Sequence, residues 1–200
     1  ISDLSYFSYE VDPLTGNDLS GNISVWQNDP TIIEAQSNGV RVNLCIKLQD
    51  FSANQTNYNL FFNNPSAQET LIVNAINAVK AANANGINLN FEGFGSNYMP
   101  FVNFVESLST RLRDSIPNSE LSIDIQPSFA NSSAFLNLLN PYIDLFILMG
   151  YDYYWDTQGI PGPVAPLYDF QNSPYGNVSN DINNLLKYLH PDKIILGLPY

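Results

Sequence analysis

The stretch Asn85-Gly86-Ile87-Asn88-Leu89-Asn90-Phe91-Glu92 decides the fold of this chain. Positions 88, 90 and 92 are polar, whereas positions 87, 89 and 91 are large and apolar. A period of two is typical of a β-strand, in which alternate side chains point to opposite faces. The sequence therefore predicts a strand with Asn88, Asn90 and Glu92 in a row along one face.

Two apolar helical runs, residues 69–82 and 101–116, flank this strand. A strand between two helices is normally buried on both faces and apolar throughout. A row of polar side chains that ends in a carboxylate therefore needs an explanation, and the interior of a closed barrel supplies one. Because barrel enzymes build their sites at the C-terminal ends of the strands, Glu92 is predicted to lie at the catalytic mouth.

Strands and helices alternate along the chain. Residue patterns predict six strands, at residues 4–9, 40–48, 87–92, 121–127, 143–149 and 194–199. Helices are predicted between them, with Asp29-Pro30 and Asn64-Pro65 as two helix starts. This alternation indicates an α/β protein with a parallel sheet, and no composition shift marks a linker. We therefore expect residues 1–200 to be one domain.

Two features favour a (β/α)8 TIM barrel over an open doubly wound sheet. A second polar row occurs at Ser122, Asp124 and Gln126, and long aromatic-rich segments follow several strands. The chain also lacks the glycine-rich turns of the common nucleotide-binding folds. Since six strands fall two short of eight, we expect the second to the seventh strand of a barrel here, with the first and last outside this stretch.

Composition limits the partners. The chain has 19 acidic and 7 basic residues and a net charge of −12. Proteins that bind nucleic acids or anionic membranes have clustered Lys and Arg, so neither is expected as a partner. Membrane insertion is not expected either, because the chain has no apolar run of 18 residues. Cys45 is the only cysteine and His190 the only histidine, so no metal site is predicted. No cofactor is expected either.

Three motifs resemble glycoside hydrolase family 18, the chitinase-like family. Residues 85–92 are similar to its D-G-x-D-x-D-x-E signature, with Glu92 at the catalytic glutamate. Residues 149–153, Met-Gly-Tyr-Asp-Tyr, resemble the family's M-x-Y-D-Y after the sixth strand, and residues 193–200 resemble K-x-x-x-G-x-P-Y of the seventh. The motifs follow the family order across nearly the whole chain.

The resemblance implies a retaining glycosidase acting on β-linked N-acetylglucosamine, in chitin-type oligomers, peptidoglycan or N-glycans. In such substrate-assisted enzymes the sugar's own acetamido oxygen attacks the anomeric carbon, and the protein supplies one general acid/base. By resemblance Glu92 is that group, with Asn90 and Tyr151 at the acetamido group. A secreted or cell-surface location would follow from the family. The remaining predicted sugar contacts are Asn88, Gln126, Met149, Asp152, Tyr153 and Trp155.

The signature departs from the family in one respect: its three aspartates are Asn85, Asn88 and Asn90 here. Asn90 can accept a hydrogen bond but brings no full charge to the cationic intermediate. The pair of Asn90 and Glu92 resembles the asparagine–glutamate pair of the endo-N-acetylglucosaminidases of family 85, so an asparagine at position 90 is compatible with catalysis. The alternative is an attenuated, chitinase-like lectin that binds amino-sugar glycans, and a third reading is a barrel scaffold of unrelated function. Glu92 itself could be a structural carboxylate at a strand end.

Overall fold

The computed structural model describes residues 1–93, 97–154, 161–170 and 175–199. Six strands alternate with helices in this part of the chain. The strands are β1 (Asp3–Glu10), β2 (Arg41–Gln49), β3 (Gly86–Glu92), β4 (Glu120–Ile125), β5 (Leu145–Met149) and β6 (Ile194–Gly197). The α-helices are α1 (Pro30–Ser37), α2 (Thr56–Phe62), α3 (Pro65–Ala81), α4 (Met99–Ser115), α5 (Ser133–Leu139) and α6 (Val178–Leu185). The chain divides into two compact units, Ile1–Ser122 and Ile123–Tyr200.

In the first unit, β1, β2 and β3 are parallel neighbours. The register of β2 and β3 runs from Asn43 beside Gly86 to Gln49 beside Glu92. The register of β1 and β2 shifts between Phe7 and Tyr9, and Glu10 then lies beside Lys47. This register places side chains of three strands in rows across the sheet.

The predicted helix starts of the first unit are confirmed. Asp29 accepts a hydrogen bond from the Thr31 amide, with Pro30 as the first helical residue of α1. Asn64 accepts from the Ala67 amide at the start of α3 in the same way. In each case the cap satisfies an amide that the first turn leaves unpaired, and the proline brings no amide of its own.

The apolar face of β3 packs on the helices. Phe91 lies in a group of aromatic rings, with centroids 5.9 Å from Phe104 and 6.3 Å from Phe61. Ile87 and Leu89 are fully buried. Since side chains alternate along a strand, Asn88, Asn90 and Glu92 project from the opposite face, as the period of two predicts.

In the second unit, β5 and β6 are parallel, from Phe146 beside Ile194 to Met149 beside Gly197. The Lys193 ammonium holds the start of β6 by donating to the carbonyls of Asn140 and Ile143, each at 2.8 Å. A separate apolar cluster lies after β5 and contains Tyr153, Tyr154 and Val178, with Phe170, Tyr175 and Ile182 packed against it.

Several element predictions were wrong in detail, among them β5, which begins at Leu145 rather than at 143, and β6, which ends at Gly197 rather than at 199. Helix α2 was not predicted, because its sequence Thr-Asn-Tyr-Asn-Leu-Phe-Phe holds few good helix formers; burial of Tyr58 and Phe61 stabilises it instead. Strand β4 ends at Ile125 rather than at 127, since Pro127 begins a 3-10 turn. Helix α6 begins at Val178 and is capped by Asn177. The single-domain assignment for residues 1–200 stays a prediction.

No helix in the described ranges is both long enough and apolar enough to cross a membrane.

Candidate active site

Glu92 is the last residue of β3, on the face opposite the aromatic rings. The Gln49 side-chain amide, on the neighbouring strand, donates a hydrogen bond of 2.6 Å to Glu92 Oε1. The two residues are also partners in the strand register, so β2 and β3 together fix the position of the carboxyl group. Within the described residues no Lys, Arg or His forms an ion pair with Glu92.

The backbone of Glu92 is anchored independently of its side chain. Its carbonyl oxygen lies 2.7 Å from the Tyr58 hydroxyl and accepts a 3.0 Å hydrogen bond from the Asp50 amide. The same hydroxyl lies 2.8 Å from the Leu48 carbonyl. Burial raises the pKa of Tyr58, and the nearby charges of Glu92 and Asp50 raise it further, so the hydroxyl remains a donor. Helix α2 therefore holds the end of β3 in place.

Gly93 makes the tight turn after Glu92 possible. It has φ of +87°, and a Cβ there would lie only 2.2 Å from the Asp50 carbonyl oxygen. Any side chain would therefore push the end of β3 away from the chain that follows β2. Burial raises the pKa of Asp50, but hydrogen bonds from Ser52 and Asn57 outweigh it and hold this pKa below its ordinary value. A charged Asp50 thus fixes the loop that packs against Gly93.

Asn90 lies two residues before Glu92, on the same face. It is half-buried, and its Oδ1 atom is buried without a hydrogen-bond partner among the described residues. An unpaired buried acceptor costs about 1–3 kcal/mol, and such groups in folded proteins need an explanation. A donor on a bound ligand would satisfy it.

The other two asparagines of the motif are held by the protein. Asn88 is 2% exposed and donates to the Ser122 hydroxyl at 3.2 Å. Asn85 lies at the opposite end of β3, where its side-chain oxygen accepts from the Val42 amide at 2.8 Å. Asn85 therefore ties β3 to β2. The predicted contact of Asn88 with a sugar stays a prediction, and in the structure its side chain joins β3 to β4 through Ser122.

Further predicted site residues lie in the second unit. Met149 ends β5 and is 8% exposed, and Asp152 is exposed with a positive φ of 57°. Tyr151, between them, is half-buried, as is Gln126 directly after β4. The Gly150 amide donates to the Gly197 carbonyl at 2.9 Å, which fixes the start of the Tyr151 segment against β6. Their contacts with substrate stay predictions, and Trp155 lies outside the described residues.

Tyr153 belongs to the apolar cluster after β5. Its side chain is 3% exposed, and its hydroxyl donates a 2.6 Å hydrogen bond to Asp181 in α6. Burial raises the pKa of Asp181, and the bond from Tyr153 opposes that rise. The predicted sugar contact of Tyr153 is not tested, but in this arrangement the side chain joins the loop to α6.

Sequence reasoning missed the residues that β2 and α2 place beside Asn90 and Glu92. Gln49 and Lys47 belong to a second alternating row, in which Asn43, Cys45, Lys47 and Gln49 separate the apolar residues of β2. That alternation could have predicted a second polar row on β2. Tyr58 gave none, because its contact with the end of β3 depends on a helix that local propensity does not predict.

On this face β3 presents one carboxyl group, that of Glu92, after the two neutral amides of Asn88 and Asn90. One oxygen of Glu92 is occupied by Gln49, and the second accepts no hydrogen bond from the described residues. Such a group can deliver and retrieve a proton at one defined atom. No cluster of three metal-ligating side chains occurs in the ranges that the structure describes.

Comparisons with known proteins identify the family. The sequence profile described as glycosyl hydrolases family 18 matches residues 19–200. No curated protein sequence matches the chain significantly.

Solved structures share the fold. A structure of catalytic domain 2 of the Group II chitinase from Ostrinia furnacalis is 22% identical, with a TM-score of 0.80 over 99% of this chain and 56% of that one. The class V chitinase from Nicotiana tobaccum is 18% identical, with a TM-score of 0.80 over 99% of this chain and 60% of that one. A putative sporulation-specific glycosylase from Bacillus subtilis is 18% identical, with a TM-score of 0.73 over 98% and 63%.

The chain thus spans about three-fifths of the length of these structures, by the 56%, 60% and 63% of each that it covers. The likeness gives it the α/β barrel fold that the alternating pattern predicted. With a profile match over residues 19–200, the chain belongs to glycosyl hydrolase family 18.

Proposed function

We propose that this chain carries the catalytic glutamate of a retaining glycoside hydrolase that cleaves β-linked N-acetylglucosamine. The observation that carries the proposal is the state of Glu92: its backbone is fixed by Tyr58 and Asp50, one side-chain oxygen is held by Gln49, and the other is open. The structural carboxylate Glu120, by contrast, has both oxygens engaged by side chains of β2, those of Asn43 and Arg41.

The proposed reaction needs only one protein carboxyl group. Glu92 protonates the leaving glycosidic oxygen while the 2-acetamido oxygen of the same sugar attacks the anomeric carbon. The resulting oxazolinium ion is opened by a water molecule, from which the Glu92 carboxylate takes a proton. Two displacements at one carbon retain the β configuration. Gln49 and Tyr58 keep the carboxyl group aligned through both proton transfers.

Asn90 is proposed to orient the acetamido group. Its buried, unpaired Oδ1 is an acceptor that the acetamido N–H would satisfy. An amide carries no net charge, so it stabilises the cationic oxazolinium less than a carboxylate would. We expect a turnover number below that of an aspartate-bearing site, with substrate binding largely retained.

Relatives support the choice of substrate. A Group II chitinase structure from Ostrinia furnacalis is described in complex with a penta-N-acetyl chito-oligosaccharide, and one of a family 18 chitinase from Cycas revoluta with (GlcNAc)3. A glutamate-to-glutamine variant of the tobacco class V chitinase is described with NAG4. Chitin-type oligomers are therefore the first substrates to test, and a secreted or cell-surface location remains part of the proposal.

The test measures how the full protein hydrolyses two chromogenic substrates. Chitotrioside with its N-acetyl groups should be hydrolysed with initial release of the β anomer, detected by NMR. The de-N-acetylated analogue should be inert, because it lacks the internal nucleophile. Equal hydrolysis of both substrates, or first release of the α anomer, would contradict the substrate-assisted mechanism.

The second candidate is an amino-sugar lectin, which the neutral Asn90 favours. Its distinguishing result is measurable binding of chito-oligosaccharides, by calorimetry, without any turnover at enzyme concentrations equal to that of the substrate. A single turnover under those conditions would decide for the hydrolase.

A further inference from the structure

The cation Lys47 lies on β2, beside the row of Asn88, Asn90 and Glu92 on β3. In the strand register, Lys47 has Glu10 on one side and Asn90 on the other. It precedes Gln49 by two residues, so its side chain leaves β2 on the face that holds Glu92. The chain has only 7 basic residues, which makes a lysine at this position notable.

The Lys47 ammonium is covered but poorly paired. Its side chain is 22% exposed, and its nearest recorded anion, Glu10 Oε1, is 4.0 Å away. That distance is too long for a hydrogen bond, whereas an ammonium has three N–H groups to donate. Its remaining recorded contact is the ring of Phe7, 5.6 Å from the nitrogen. Elsewhere in the same unit Arg41 meets Asp3 at 2.7 Å, so the sheet does form close ion pairs.

Glu10 is a replaceable partner. Its side chain is 49% exposed, and within the described residues the long contact with Lys47 is its only ion pair. A long ion pair with one partner half exposed contributes little to stability. A ligand carboxylate that approached Lys47 directly could form a shorter, charge-assisted bond than Glu10 does.

We propose that Lys47 is a specificity-determining residue that binds a carboxylate carried by the glycan, next to the N-acetylglucosamine unit. The inference rests on the proposed function, because it assumes that an amino-sugar glycan lies along this face. A neutral chitin chain offers Lys47 only hydroxyl and amide oxygens. The net charge of −12 would otherwise repel an acidic glycan, so a dedicated cation is needed to admit one. The class of ligand is thus an acidic amino-sugar oligosaccharide, with either a lactyl ether or a uronic acid as the source of the carboxylate.

The test measures binding, so that it does not depend on turnover. The probes are a tetrasaccharide that alternates N-acetylglucosamine with its lactyl-ether derivative, the same compound with its carboxylates converted to methyl amides, and a tetrasaccharide alternating N-acetylglucosamine with glucuronate. Calorimetry should show the parent protein binding one or both acids about 10-fold more tightly than the neutral amide, and less so in high salt. Which acid is preferred distinguishes the two sources.

Variants then assign the preference to Lys47. Lys47→Met should bring the ratio of the affinities for acid and amide close to one, and Lys47→Arg should retain much of the preference for the acid. Lys80→Met makes the same charge change at an exposed site on α3 and should leave the ratio unchanged. Glu10→Gln should increase the ratio by about 2- to 5-fold because the competing carboxylate is gone, with exposed Glu34→Gln as its control. Circular dichroism verifies the fold of each variant.

The outcomes separate this inference from the proposed function. An equal affinity of the parent for acid and amide overturns the role of Lys47, even if chitotrioside is hydrolysed. An equal loss of both affinities in Lys47→Met, with Lys47→Arg no better, also overturns it and makes the lysine structural. A Lys47-dependent preference without hydrolysis of any probe supports the inference while the hydrolase proposal fails.

Discussion

The two ends of the sheet in the first unit each hold a glutamate bonded by an amide of β2, and they differ in one cation. At the N-terminal end, Asn43 donates to Glu120 Oε1 at 3.0 Å, and Arg41 contacts Glu120 Oε2 at 2.7 Å. At the C-terminal end, Gln49 donates to Glu92 Oε1 at 2.6 Å, and no described cation contacts the other oxygen. Strand β2 thus binds both oxygens of Glu120 but only one oxygen of Glu92.

We interpret the difference as one between a structural group, Glu120, and the proposed reactive group, Glu92. With both oxygens occupied, one of them by a guanidinium, Glu120 is fixed as an anion and joins β4 to β2. With one oxygen open, Glu92 can exchange a proton with a ligand. The position in the barrel agrees with this division, since the N-terminal ends of barrel strands serve stability and the C-terminal ends serve catalysis.

The largest expected effect on stability comes from removing the cation at the N-terminal end. Arg41→Met leaves the Glu120 side chain, 10% exposed, without its guanidinium and also removes the 2.7 Å ion pair with Asp3. We expect a loss of about 1–3 kcal/mol in the free energy of unfolding, below the figure for a fully buried pair because Arg41 is itself half exposed. Urea denaturation measures it. The double variant Arg41→Met/Glu120→Gln should regain part of the loss, because the uncompensated charge is gone.

The matched control for Arg41 is Arg111→Met, which breaks an ion pair with Glu69 whose side chains are 40% and 59% exposed. Its cost should stay below about 1 kcal/mol. Equal costs for the two arginine variants, with no recovery in Arg41→Met/Glu120→Gln, would mean that Glu120 is not a buried structural anion, and the comparison of the two ends would lose its basis.

A third carboxylate, Asp181 in the second unit, sharpens the comparison through pH. Burial raises the pKa of Asp181 in the folded state above its unfolded value. The stability that this shift contributes is therefore present at low pH and is lost as pH rises through the folded pKa. The Tyr153 hydroxyl lowers this pKa, and Tyr153→Phe should therefore raise it further. We expect Tyr153→Phe to cost about 1–2 kcal/mol at pH 7 and clearly less at pH 4, by denaturation at both values.

Tyr154→Phe is the control for Tyr153, since Tyr154 belongs to the same cluster and its hydroxyl makes only a 3.4 Å contact with the Phe170 carbonyl. Its cost should be small and independent of pH. A cost of Tyr153→Phe that did not change between the two pH values would show that the protonation of Asp181 does not change between them, and the proposed pH dependence would be wrong.

A smaller effect is expected from adding a charge at the C-terminal end. Asn90→Asp supplies the missing anion beside the oxazolinium and should raise kcat on N-acetylchito-oligosaccharides by about 10-fold. The KM should change little, because both side chains accept the acetamido N–H. Steady-state kinetics measure both, with Asn77→Asp, exposed on α3, as the control for net charge. A fall in kcat would mean that the site is adapted to the amide, and the attenuation argument would be wrong.

The local sequence predicted one face of the site and missed its partners. Alternation alone put Asn88, Asn90 and Glu92 on one side of β3, because side-chain direction in a strand is a local property. The bond from Gln49 joins residues 43 positions apart, and that from Asn43 to Glu120 joins residues 77 apart. Such pairs depend on the strand register, which local propensity does not give.

Helix α2 illustrates the same limit. Its residues are poor helix formers, yet Tyr58 within it holds the Glu92 carbonyl. Tertiary packing overrides weak propensity here. The family motifs located Glu92 through its sequence neighbours, whereas the groups that position it come from elsewhere in the fold.

The central claim, that Glu92 is the reactive carboxyl group and Glu120 the structural one, is tested most directly by measuring turnover and thermal stability of Glu92→Gln and Glu120→Gln side by side. Glu92→Gln should lower kcat on N-acetylchitotrioside by about 10²- to 10⁴-fold while the melting temperature and oligosaccharide affinity stay near those of the parent. Glu120→Gln should lower the melting temperature and leave kcat per folded molecule nearly unchanged. If Glu92→Gln instead retains most of the turnover, or loses stability as Glu120→Gln does, Glu92 is not the general acid and the account is contradicted.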